Sequence, residues 1–94
     1  MSGKYRDKAT ERFARGDFVK AFSGISFQAQ AKLDLLENAA SLADLRAIRG
    51  NRLEALKGDR LGQYSIRIND QYRICFEWPE EAKHPFNIEI VDYH

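Results

Sequence analysis

From Arg52 onward, apolar and polar side chains alternate with a period of two, the spacing of strands with one buried face. Tyr64, Ile66 and Ile68 share one side of a strand, and Ser65 and Arg67 share the other. Tyr72, Ile74, Phe76 and Trp78 form the matching apolar face of the next strand, and Phe86, Ile88 and Ile90 that of the last. Leu53 and Leu56 mark a short strand ahead of these, and Gly58-Asp59 turns the chain. Pro79, Glu80, Glu81 and Pro85 bound the loop before the last strand. Upstream, the spacing is helical. Asp7 is placed to cap a short helix through about Arg15, with Ala9 and Phe13 on one face, and Gly16-Asp17 breaks it. Phe18 and Phe22 anchor a turn or a short helical continuation. Ser26 is the expected cap of a second helix, roughly Phe27 to Ala39. Ala29, Leu33, Leu36 and Ala40 line one of its sides, and Ala31 and Leu35 widen that stripe. Residues 41–51 read as a connector with room for a single turn over Leu42 to Leu45, and Gly50-Asn51 is a turn site.

This pattern tests its own register. A two-residue turn at Asn69-Asp70 would pair Ile66 with Arg73, an apolar residue against a charged one. A three-residue turn over Asn69 to Gln71 pairs Ile68 with Tyr72 and Ile66 with Ile74, so every apolar residue agrees. The same register sets Arg67 directly across from Arg73, a like-charge pair that costs stability. Helices must cover the apolar side, and the arginine side is left for solvent or a ligand. If it is solvent, the two guanidiniums splay apart near Glu77 or Glu89. The fold class is α+β: two N-terminal helices packed on a mainly antiparallel four-stranded sheet.

The 94 residues set the scale at one domain, and 44% hydrophobic residues suffice for a core without metal or disulfide. One cysteine excludes an internal disulfide and points to a reducing compartment. No run approaches the length of a membrane helix, and the first residues are charged rather than apolar, so a cytoplasmic location is expected. A net charge of +1 says little, but its distribution says more. Residues 46–73 hold seven basic and three acidic side chains, while residues 74–94 hold one basic and five acidic. A basic stretch suits phosphate, and the acidic end argues against bulk electrostatic binding of nucleic acid.

Few motifs carry chemistry. His84 and His94 lack companions at zinc-site spacing, and there is no glycine-rich phosphate loop, so neither metal nor cofactor is expected. Cys75, in mid-strand, reads as packing rather than a nucleophile. Cleavage of RNA, by contrast, needs little: a base for the 2′-hydroxyl proton, cations on the phosphate and an acid for the leaving oxygen. Arginine clamps phosphate with two parallel hydrogen bonds, and histidine moves protons at neutral pH. Asp92, Tyr93 and His94 are then candidates for orienter or base, base-stacking platform and proton carrier. A histidine at a chain end is otherwise a frayed surface residue.

Three blocks decide between these readings: Arg52-Leu53-Glu54-Ala55-Leu56-Lys57-Gly58-Asp59; the run Gly62 to Phe76; and Glu89-Ile90-Val91-Asp92-Tyr93-His94. In combination and order they closely resemble the HigB-type branch of the RelE/ParE toxin superfamily, and the two helices resemble it more loosely. The resemblance implies a toxin of a type II toxin–antitoxin pair with the compact microbial-ribonuclease-like RelE fold. It also implies metal-independent cleavage of messenger RNA in the ribosomal decoding site. The implied partners are the ribosome with its mRNA and a small HigA-type helix-turn-helix antitoxin, through which alone the toxin reaches operator DNA. Arg73 falls at the family's phosphate-binding arginine, Lys57 at the lysine of its leucine-lysine-glycine block, and Asp92, Tyr93 and His94 at its functional triplet. Arg49, Arg52 and Arg67 add basic charge for RNA around these positions.

One position departs from the pattern. Where many relatives carry histidine, this chain has Glu54. A glutamate accepts a proton weakly unless burial raises its pKa, and it sits badly beside a phosphate. His94 then carries more of the proton transfer, or the toxin works mainly through binding. The structural alternative is a salt bridge from Glu54 to Arg52 or Lys57. Two further readings stand beside the nuclease: a gyrase poison of the same superfamily, and a module that only binds its partner or RNA.

Overall fold

The computed structural model describes residues 3–92, so Tyr93 and His94 lie outside the described residues. Three helices precede and partly cover a sheet: α1 (Lys8–Ala14), α2 (Ser26–Asn38) and α3 (Leu42–Arg46), with a 3-10 helix over Lys20–Ile25. The strands are β1 (Glu54–Ala55), β2 (Gln63–Arg67), β3 (Tyr72–Glu77) and β4 (Phe86–Asp92), in the order β1-β2-β3-β4 with every neighbour antiparallel. The α+β architecture expected from the alternation is the one observed.

Helix boundaries follow local chemistry. Asp7 holds the cap position of α1 with extended angles, but its carboxylate makes no capping bond. Gly16 ends the helix at φ 96°: its N–H donates to the Phe13 carbonyl at 3.0 Å, and that of Asp17 to Arg12 at 3.0 Å. This paired closure needs a residue that tolerates positive φ, which glycine does without a Cβ clash. Ser26 does not cap α2. The 3-10 helix runs straight into it, so Ser26 already has helical angles and Ile25 holds the cap position. The single turn in the connector is α3, capped by Ser41, whose Oγ accepts from the Asp44 N–H at 3.3 Å.

One core lies between the helices and one sheet face. Ala29, Leu33 and Leu36 of α2 meet Ile66, Ile74, Phe76 and Ile88, all fully or almost fully buried. Ala31 and Ala40 are exposed instead, Ala40 because α2 ends before it. Phe22 packs edge-on against Phe13 with ring centroids 5.5 Å apart, whereas Phe18 is 73% exposed and anchors nothing. Thr10 ties α1 to the sheet, its buried Oγ1 accepting from the Ile90 N–H at 3.0 Å.

The β2–β3 register is the one the apolar pattern demands, with Ile66 opposite Ile74 and Arg67 opposite Arg73. The Asn69 side chain builds the turn, its Oδ1 accepting from the Gln71 and Tyr72 N–H groups at 2.8 Å each. β4 departs from the expected alternation. Asn87 has φ 51° and the register shifts between Cys75 and Glu77, a bulge that sets Phe86 opposite Glu77. Phe86 therefore leaves the face of Ile88 and Ile90 and lies beside His84, ring centroids 5.2 Å apart. Residues 3–6 run alongside β4: the Ile88 N–H donates to the Lys4 carbonyl at 2.9 Å and the Arg6 N–H to the Ile88 carbonyl at 2.8 Å.

Candidate phosphate-binding face

On the sheet face turned away from the helices, the registers align Glu54, Ser65, Cys75 and Glu89 in one row across all four strands. The adjacent row holds Arg67, Arg73 and Val91. Arg73 is the best-held cation of this face. Its Nε donates to Ser65 Oγ at 2.8 Å, and its Nη2 to the Arg52 carbonyl at 2.7 Å and the Ser65 carbonyl at 3.4 Å. The side chain is only 14% exposed, and Nη2 lies 3.8 Å from Glu54 Oε1. Nη1 has no hydrogen-bond partner among the described residues. A guanidinium fixed on one edge by neutral oxygens offers its remaining donors to an anion.

Arg52 does its part through the backbone. It follows a 3-10 turn over Arg49–Asn51 and adopts left-handed angles, φ 45° and ψ 54°. That conformation costs a non-glycine residue about 1–2 kcal/mol. Here it accompanies a carbonyl that accepts from Arg73. The side chains of Arg49, Arg52 and Lys57 are exposed, with no ion pair among the described residues. Glu54, 60% exposed, is matched with Arg73, so neither Arg52 nor Lys57 is its partner. Arg67 bonds to Asp70, which is 99% exposed, a pairing that solvent weakens and a ligand can displace.

The acids expected near the arginines are engaged elsewhere. Glu77 accepts from Asn87 at 3.1 Å, and Glu89 lies 3.6 Å from Arg6 and 3.4 Å from Arg60. Cys75 is fully buried on this face. Burial pushes its thiol up from the ordinary range, with Glu89 adding and Arg60, Arg73 and Arg6 opposing. A protonated buried thiol is packing, not a nucleophile. Asp92 stands opposite Tyr72, so alternation directs it to the side of Tyr72 and Ile90, away from Arg73. Its two carboxylate oxygens each accept from Gln71 Nε2 at 3.3 Å. Val91, the residue before it, is the cross-strand neighbour of Arg73.

Sequence reading missed Arg6, Arg60 and Lys32. The first two are ordinary charges in segments without periodicity, and Lys32 sits on what looks like the solvated side of a helix. None carries a local signal. Among the described residues, no group of three or more His, Cys, Asp or Glu could hold a metal, and no helix is long and apolar enough to cross a membrane. A concavity of about 480 Å³ lies elsewhere, between α1, the 3-10 helix and α2, where Phe18 and Phe27 are exposed.

Helices on one side of an antiparallel sheet, with a held arginine and loosely held basic neighbours on the other, define an α+β fold with a candidate anion-binding face. Residues 3–94 match the family described as RelE-like toxin of type II toxin-antitoxin system HigB, and the chain belongs to that family. It is similar to Toxin HigB-1 of Vibrio cholerae serotype O1 (strain ATCC 39315 / El Tor Inaba N16961). The two are 39% identical over 80 residues, which cover 83% of this chain and 84% of that protein.

Proposed function

We propose that this toxin is an endoribonuclease that inhibits translation by cutting messenger RNA on the ribosome, without a metal ion. The observation that carries the reading is Arg73, held by Ser65 Oγ at 2.8 Å and the Arg52 carbonyl at 2.7 Å, with its Nη1 unbonded among the described residues. Preorganised charge stabilises a transition state because it needs no rearrangement as charge develops. In this reading Arg73 grips the scissile phosphate, and Lys57, Arg52, Arg67 and Arg49 hold the flanking backbone. Glu54, whose carboxylate lies 3.8 Å from Arg73 Nη2, takes the 2′-hydroxyl proton. The 2′-oxygen then attacks phosphorus, the bond to the 5′-oxygen breaks, and His94 protonates that oxygen, leaving a cyclic phosphate. Tyr93 stacks on a base, and Asp92, which alternation puts on the side away from Arg73, orients His94 around the end of β4. A solvated carboxylate is a weak base at neutral pH, so cleavage is slow compared with a site built on two histidines.

Glu54 also lies where a phosphate oxygen would compete for Arg73, and substrate must displace it. The cognate antitoxin is a HigA-type helix-turn-helix protein, operator DNA is reached only through it, and the toxin acts in the cytoplasm. Mapping transcript ends after brief induction tests the reading. Wild type should leave messages cut within coding regions, while Arg73→Ala and His94→Ala, folded and expressed equally, should leave them whole. Intact transcripts together with DNA damage would overturn it in favour of a gyrase poison.

A further inference from the structure

Lys32 of α2 is a cation that the described contacts leave without a carboxylate. Its Nζ donates to Asn51 Oδ1 at 2.7 Å. Asn51 is fully buried, and its Nδ2 donates to the Leu45 carbonyl at 3.0 Å. A carbonyl can only accept, so the amide nitrogen must face Leu45 and its oxygen must face the ammonium. Lys32 is thus aimed by a side chain with one available orientation. Burial lowers the Lys32 pKa from its ordinary value, and the positive charge of Arg67 lowers it further. A half-buried ammonium beside a second cation is unfavourable for folding. An anionic ligand at Lys32 would supply the charge that the protein does not.

The same short loop serves the arginine face. Asn51 holds Lys32, and the next residue, Arg52, accepts from Arg73 at 2.7 Å. Arg67 stands opposite Arg73 in the register, and its positive charge disfavours that of Lys32. β1 pairs only with Tyr64 and Ser65, so the edge of β2 at Arg67 lies beyond its end. Lys32 on the helix and Arg73 on the sheet are thus held by neighbouring residues of one loop, and Arg67 is the cross-strand neighbour of Arg73.

We propose that Lys32, with Arg67, forms a second phosphate subsite that holds the RNA backbone next to the phosphate gripped by Arg73. The inference rests on the nuclease reading above and adds a residue and a path for the strand: past the Asn51–Arg52 loop toward α2.

Cleavage of mRNA on programmed ribosomes, with Lys32→Gln, Lys32→Met, Lys32→Arg and Arg73→Ala, tests it. Loss of one charge-assisted hydrogen bond to phosphate should raise KM by roughly tenfold in Lys32→Gln and Lys32→Met, with kcat little changed. Lys32→Arg should restore most of it. The slope of log affinity against log salt, measured on a 2′-O-methylated RNA oligonucleotide, should fall by about 0.7, one phosphate's worth for a single strand. A purely structural lysine would instead lower the melting temperature and leave KM and salt slope at wild-type values, which would overturn the subsite. If Arg73→Ala abolishes cleavage while both charge-removing Lys32 variants keep wild-type KM, the subsite alone falls. If Arg73→Ala also cleaves normally, the nuclease site falls with it.

Discussion

Replacing Ser65 with alanine removes the oxygen that accepts from Arg73 Nε at 2.8 Å and leaves the strand otherwise intact. Ser65 is fully buried, so alanine leaves little space for a compensating water. A hydrogen bond to a charged group contributes roughly 1.5–3 kcal/mol. The Arg52 carbonyl at 2.7 Å still holds Nη2, so the loss should fall at the lower end. About 1.5 kcal/mol of lost orientation corresponds to roughly a tenfold fall in kcat/KM. Losing the arginine itself should cost far more, on the order of a hundredfold or greater for a transition-state donor. The assay is single-turnover cleavage of ribosome-bound message by wild type, Ser65→Ala and Arg73→Ala, with thermal unfolding in parallel. A destabilisation of about 1 kcal/mol should lower the melting temperature by roughly 4–8 °C in a domain of this size. Wild-type cleavage by a folded Ser65→Ala protein would show that the positioning of Arg73 does not limit the reaction, and would refute the reasoning.

Three other outcomes are expected. Glu54→Gln should lower KM up to about fivefold by releasing Arg73 from a partly solvated pairing, and lower kcat by about a hundredfold by removing the base; a rise in both would strip Glu54 of its proton role. Gly16→Ala, at φ 96°, should destabilise by about 1–2 kcal/mol in denaturant titration, and an unchanged midpoint would show that the turn relaxes freely. The Tyr5 hydroxyl donates to Glu37, and burial, that bond and the nearby carboxylates raise its pKa above the ordinary 10.0. A raised folded-state pKa favours the protonated form, so this stabilisation is complete below about pH 10 and fades as pH climbs above it. Stability profiles of wild type and Tyr5→Phe should therefore converge on the alkaline side, and parallel curves would contradict the linkage.

The legible parts of this molecule are those that parity or periodicity dictates. Pairing Ile66 with Ile74 was forced because any one-residue slip brings an arginine into the core, and the facing of Arg67 and Arg73 came with it. The bulge at Asn87 was hidden because Phe86, Ile88 and Ile90 alternate cleanly in the sequence although the backbone does not. Ser26 looked like a cap because nothing in the sequence announces that a 3-10 helix feeds α2 without a break. Arg73 could be picked out as a candidate, but its anchorage could not. The left-handed turn at Arg52 is a backbone choice that tertiary contacts impose on a residue with no local preference for it. Lys32 and Asn51 stand 19 positions apart and meet only because the connector folds back on α2.

The strip of backbone from Gly3 to Arg6 has a consequence for how other chains can attach. It occupies the outer margin of β4 at Asn87 and Ile88 through the bonds at Gly3, Lys4 and Arg6, so a foreign strand arriving at that stretch finds its hydrogen-bonding groups spent. At the opposite margin stands β1, only two residues long, which offers too short a ladder for firm strand addition. At those two stretches a macromolecule has to grip this fold through side chains rather than an added strand, and single substitutions can then separate one binding role from another.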